Sequence, residues 1–152
     1  MNTSPSHRTA DRSAVDLLRA AFTAFNREDL DACVQLLTED FAINIAGMPF
    51  QMRGRDAWRG NATVLRTAFP DFEVRIDDAF GSGDRVAVRL TMRGTHRGEF
   101  RGLPATGRRV RFSSLELYRV TDGLLAEEWI GWDMETLMRQ LDGSEEPPAP
   151  DA

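Results

Sequence analysis

The chain has 152 residues, and its 24 acidic side chains outnumber 19 basic ones to give a net charge of −5; every base is Arg and none is Lys. That length suits one domain of the usual roughly 100–200 residues, and 41% hydrophobic with 28% charged residues is an ordinary globular composition. An acidic domain lacks a phosphate-neutralising face, which argues against nucleic acid as a partner, and no apolar run approaches the roughly 20 residues that span a bilayer.

The N-terminus, MNTSPSHRTADRS, has no apolar core of the kind a signal peptide carries, so the cytoplasm is the expected location. Residues 1–11 are polar and expected to form a disordered tail, as is the acidic, Pro-rich stretch 143–152. Residues 12–142 form the single expected domain. Its first helix is expected over Ser13–Asn26, capped by Ser13, with Val15, Leu18, Phe22 and Phe25 at helical spacing. Asp29 caps a second, short helix reaching Leu36 and Leu37, Phe41–Ile45 is a short strand, and Met48–Arg55 is a loop. Asp56 begins a third helix carrying Trp58, Ala62, Leu65 and Phe69 on one side, and Pro70 stops it.

The period then changes to two. Phe72, Val74 and Ile76 alternate with charged residues, Gly81–Asp84 is a turn, and Arg85–His96 alternates Val86, Val88, Leu90 and Met92 with arginines. Val110–Val120 and Leu124–Trp132 are two more strands, joined by a tight Asp122-Gly123 hairpin, and Asp133 caps a last helix through Leu137 and Leu141. Helices first and a meander of strands second argue an α+β fold.

Four segments carry a family resemblance: RGRDAWRG at 53–60, AFPDFEV at 68–74, GDRVAVRLTMRGTHRGEFRGLPATGRRV at 83–110 and LYRVTDGLLAEEW at 117–129. Together they resemble the SnoaL-like polyketide cyclases of the nuclear transport factor 2-like superfamily. The resemblance implies an α+β barrel: a curved antiparallel sheet wrapped around helices, with an interior hydrophobic cavity. It implies a small-molecule aromatic polyketide as substrate, no bound cofactor and no metal.

Cyclases of this family close a ring by an intramolecular aldol reaction, using one Asp on the last strand helped by a His on the strand before it. Aligned across the Asp122-Gly123 hairpin, that Asp falls on Ile130 and that His on Glu116. Isoleucine neither takes nor gives a proton, so the chain looks more like a second branch, proposed to hydroxylate anthracyclines.

Strand parity nominates candidates, and the resemblance implies that the faces of Glu116 and Ile130 turn toward the cavity. Phe112, Ser114, Glu116 and Tyr118 share one face, as do Glu128, Ile130 and Trp132. A carboxyl in an apolar hollow has a raised pKa suited to a general base, which names Glu116 first and Glu128 second; a wet Glu paired with Arg is the competing reading. Trp58 and Trp132 offer flat faces on which a planar ring could stack, or else serve as core. Asn44 falls where relatives carry a polar pocket residue, and is otherwise a strand-end residue. His96, in a loop, is placed at the cavity mouth or in a structural role.

Three readings follow. The first is a cofactor-independent hydroxylase of the polyketide ring, with reducing equivalents from NADPH through a separate reductase. The second is an aldol cyclase whose acid–base work moves to Glu116 or Glu128. The third is a non-enzymatic binding module. Leu115 and Leu117 on the outer sheet face need cover, which a homodimer packed through sheet faces would provide.

Overall fold

The computed structural model describes residues 5–150, the side chains of 5–11 excepted; the first four residues of the expected N-terminal tail, and the last two of the C-terminal one, lie outside the described residues. The elements are α1 (Pro5–Asn26), α2 (Leu30–Gln35), β1 (Leu37–Ile45), β2 (Met52–Arg53), α3 (Arg55–Ala68), β3 (Glu73–Ser82), β4 (Arg85–Thr95), β5 (Arg109–Thr121), β6 (Leu124–Trp132) and α4 (Met134–Asp142). Most boundaries agree with the expectation to within one residue, and the larger differences are these. Helix α1 begins at Pro5, so Ser13 lies within it rather than capping it. Strand β1 begins at Leu37, directly after Leu36 closes α2. The expected loop contains the two-residue strand β2, and β3 continues through Ser82 into a tighter turn. No helix of the described residues is long and apolar enough to cross a membrane.

Six strands form one curved sheet in the order β2-β1-β6-β5-β4-β3. The sheet is open, with β2 and β3 at its edges. Strands β3 to β6 make the expected antiparallel meander. The sheet is not antiparallel throughout, however, because β1 runs parallel to β6. Helices α2 and α3 flank β1 and its short partner β2 in sequence, so the chain re-enters the sheet beside its last strand.

The alternation seen in the sequence is obeyed on β4, where Val86, Val88, Leu90 and Met92 are buried and Arg85, Arg89 and Arg93 are exposed. Each such side chain stabilises the fold by about 1.5–3 kcal/mol when fully buried. These residues face the helices across the concave side of the sheet, with Leu18 and Phe25 of α1 and Ala62 of α3 in the same core. Asn26, the last residue of α1, takes the place of a missing neighbour for edge strand β3: its amide donates to the Val74 carbonyl at 2.8 Å and accepts from the Val74 N–H at 2.9 Å. Asp133 caps α4 by accepting from Thr136 N–H at 3.1 Å.

Candidate active site

Curvature leaves an interior cavity of about 670 Å³ between the concave face and helices α1 and α3, within the size range of small-molecule sites. Its floor is set by the register of β5 on β6. Glu116 lies opposite Ile130, Tyr118 opposite Glu128, and Ser114 opposite Trp132. Side chains two apart on a strand share a face, so all six point the same way. A bulge at Ala126, between the pairs Arg119–Glu127 and Val120–Leu125, lets Leu125 face inward as well.

The buried floor is polar. Glu116 is 4% exposed, Tyr118 4% and Glu128 6%. The Ser114 hydroxyl donates to Oε1 of Glu116 at 2.8 Å, and the Tyr118 hydroxyl donates to Oε2 at 2.5 Å. The Trp132 side chain donates to the same carboxylate, and Tyr118 is also hydrogen-bonded to Glu128. A tyrosine hydroxyl therefore bridges two buried carboxyls.

Burial opposes ionisation of all three groups. It raises the pKa of Glu116, with the hydrogen bonds of Tyr118, Ser114 and Trp132 opposing the rise. It raises that of Glu128 to about 8, helped by the charge of Glu116 and opposed by the bond to Tyr118. Tyr118 is held well above 10 by burial and by the two carboxyls. Ser114, Tyr118 and Trp132 all donate to Glu116, and the single Tyr118 proton is engaged there, so of the two carboxyls Glu116 holds negative charge more readily. The floor thus pairs Glu116, the carboxyl better held as an anion, with Glu128, which keeps its proton up to about 8, and Tyr118 lies between them.

Aromatic rings line the way in. Trp132 stacks on Phe72 at 6.0 Å, Phe22 meets Tyr118 edge-on at 6.2 Å, and Trp58 meets Phe25 edge-on at 6.5 Å. Ile130 also lines the cavity. Phe112 and Ser114 stand behind this surface: Phe112 packs on Trp132 at 5.1 Å, and Ser114 holds Glu116. They position the lining rather than form it.

Two expected site residues are elsewhere. Asn44 lies on the outer face, because β1 pairs in parallel with β6 and sets Asn44 beside Trp129. There its amide donates to Glu127 Oε2 at 3.0 Å and to the Glu128 carbonyl at 2.9 Å. His96 is fully buried away from the cavity. Its Nδ1 lies 2.9 Å from Thr106 Oγ1 and 3.2 Å from the Thr106 backbone N, and its ring packs on Phe69. Burial lowers its pKa, so it stays neutral and ties together the ends of the 96–107 loop.

Sequence reasoning overlooked the lining from the other side of the cavity, notably Phe22, Phe25 and Phe72, and it overlooked Arg101 at the mouth. The helical spacing of Phe22 and Phe25 marked an inward face without showing that part of it borders empty space. A second hollow, of about 790 Å³, lies on the outer face among Asn44, Phe80, Leu115, Leu117 and Trp129. It holds no comparable set of buried acids.

The open, curved α+β sheet is a fold shared with known proteins. Residues 5–141 match the SnoaL-like polyketide cyclase family, and the chain belongs to it. DauD, the aklanonic acid methyl ester cyclase of Streptomyces sp. (strain C5), is 28% identical over 131 residues, spanning 84% of this chain and 80% of DauD. The structure of AclR from Streptomyces galilaeus, a candidate hydroxylase, superposes with a TM-score of 0.78 at 28% identity, over 87% of this chain and 97% of AclR. IdmH of Streptomyces antibioticus, a candidate polyketide cyclase, gives a TM-score of 0.75 at 33% identity, over 85% of this chain and 98% of IdmH.

Proposed function

We propose that the chain is an acid–base catalyst acting on an aromatic polyketide, and that its reaction is an aldol-type ring closure. The observation that carries this reading is the Glu116–Tyr118–Glu128 bridge, a base and an acid joined by a hydroxyl in an apolar cavity. Ile130 argued against a cyclase at the level of sequence, since the proton-transferring Asp of the family falls there. Glu128 supplies a carboxyl one cross-strand pair along on the same face, which removes that ground.

The step balances as follows. Glu116 takes the proton of an acidic C–H beside a carbonyl. The resulting enolate carbon attacks a second carbonyl carbon of the same molecule, a C–C bond forms, and the carbonyl π pair becomes an alkoxide. Tyr118 donates a proton to that oxygen and is refilled from Glu128. The proton gained by Glu116 then returns to Glu128 through the same hydroxyl. The aromatic walls orient the chain and exclude water from the enolate.

A second reading, hydroxylation of the ring, has the likeness to AclR in its favour. Glu116 would then deprotonate a phenol, and a separate reductase would pass in the electrons of NADPH. Incubation with an aklanonic acid-type open-ring polyketide, as ester and as free acid, separates the two. An isomeric product formed under argon supports ring closure. A product with one added oxygen, formed only in air with NADPH and a reductase, would overturn it in favour of hydroxylation. Tight binding without any product would leave a binding module.

We also propose a homodimer through the outer sheet face, where Phe80, Leu115 and Leu117 are 65%, 67% and 48% exposed. The hollow they border carries both Asp78 and Arg89, opposite charges that a two-fold, self-complementary contact can bring together.

A further inference from the structure

Arg101 is the one basic side chain lining the interior cavity among the described residues. It is exposed, and with exposed Met48, Asn61 and Val64 it marks where the cavity opens. It sits in the turn Phe100–Leu103, whose end residues exchange both backbone bonds, at 3.0 and 2.9 Å. Both central residues are left-handed, with φ of 51° at Arg101 and 82° at Gly102. Turns of that hand favour Asn, Asp or Gly at the first central position. The chain obeys this rule in its other left-handed hairpin, Asp122-Gly123. An arginine there costs conformational free energy, and backbone strain of this kind gathers at ligand sites.

The turn is anchored on both sides. Phe100 is buried edge-on against Phe69 at 5.4 Å, and the Glu99 carboxylate accepts the Gly102 N–H at 2.5 Å. Glu99, the acid nearest in sequence, is thereby engaged with backbone. Arg101 forms no ion pair with any described residue.

Charge is therefore graded along the cavity, from the Glu116–Glu128 pair, which shares negative charge at the floor, past the aromatic walls, to a guanidinium at the mouth with no ion-pair partner among the described residues. Such a gradient repels an anionic end from the floor and attracts it to the opening.

We infer that the cavity takes a planar aromatic substrate bearing a carboxylate, which pairs with Arg101 at the mouth while the reacting carbons lie against Glu116 and Tyr118. This rests on the interior cavity being the polyketide site. A methyl ester would receive only a neutral, weaker hydrogen bond from the guanidinium, so the inference sets this chain apart from DauD, which is named for a methyl ester.

The test uses Trp fluorescence, since Trp58 and Trp132 line the cavity. Quenching is titrated with anthraquinone-2-carboxylate and with its methyl ester, for the native chain, Arg101→Asn and Arg101→Lys. The native chain should bind the carboxylate about fivefold tighter than the ester, the scale of a solvent-exposed ion pair. Lys should retain that preference and Asn abolish it, with ester affinity falling less than carboxylate affinity. Because Asn accepts the left-handed backbone, Arg101→Asn should also melt higher than the native chain, which a merely structural arginine would not allow. Equal affinity of the native chain for both probes, or a preference that survives Arg101→Asn, would overturn the assignment while leaving the cavity reading intact. Failure of both probes to quench would overturn the two together.

Discussion

Glu116 shows how much chemistry one alternating strand carries. It faces inward while Leu115 and Leu117 face out, as parity requires, and Ser114 and Tyr118, two residues to either side, are the groups that bond it. Replacement by Gln keeps the shape and removes the base, so turnover should fall by about 10²–10⁴-fold, the usual contribution of a positioned base. Binding of an anthraquinone probe should persist. Tyr118→Phe removes the donor that bridges the two carboxyls and should lower kcat by about 10²–10³-fold, with a smaller effect on KM. If catalysis needs Glu128 protonated, kcat/KM of the native chain should fall as pH rises through about 8. A pH–rate profile checks this: in Glu128→Gln the alkaline limb should vanish from whatever activity remains.

At the scale of elements, the cavity persists because helices α1 and α3 are held off the sheet by polar ties as well as by packing. Arg66 of α3 donates to the Phe72 carbonyl at 2.6 Å and to the Phe25 carbonyl, and its guanidinium lies 4.4 Å from the centre of the Phe25 ring. One side chain thus joins α3 to the end of α1 and to the approach to β3. Arg66→Met keeps most of the stem and leaves two carbonyls without their charged donor. It should destabilise the fold by about 2–3 kcal/mol, measurable by urea denaturation. Helix and strand types were legible from periodicity. Strand partners were less so: β2 is too short to show a period, and nothing local signals that β1 pairs in parallel with β6. That pairing moved Asn44 from the expected pocket to the outer face. His96 was legible as a residue of interest, but the hydrogen bonds to Thr106 that make it structural join positions ten residues apart.

For the whole molecule, burying Glu128 couples stability to pH. Its carboxyl titrates near 4.5 when unfolded and at about 8 when folded. The folded state therefore favours the proton, and this contribution is complete below 4.5 and is lost as pH rises to 8. Thermal melts should show stability falling between those limits by a few kcal/mol, and Glu128→Gln should flatten the slope and exceed the native chain at pH 9. The proposed dimer makes a separate prediction: Leu115→Arg should shift sedimentation from dimer to monomer at micromolar concentration, leaving the interior cavity and probe binding in place.

By itself the sequence determined the α+β class, the order of the main elements, and that Glu116 shares a strand face with Tyr118, and Glu128 with Trp132, because a two-residue period is a local property of extended backbone. The family resemblance rested on the same local signals. Only the tertiary structure decided that Tyr118 stands opposite Glu128 and bridges it to Glu116, since that depends on a hairpin register with a bulge in it. It alone decided how much of the helical faces borders a cavity rather than core, because curvature of the whole sheet sets that distance. And it alone put Arg101 at the opening, through a left-handed turn whose strain the surrounding packing sustains.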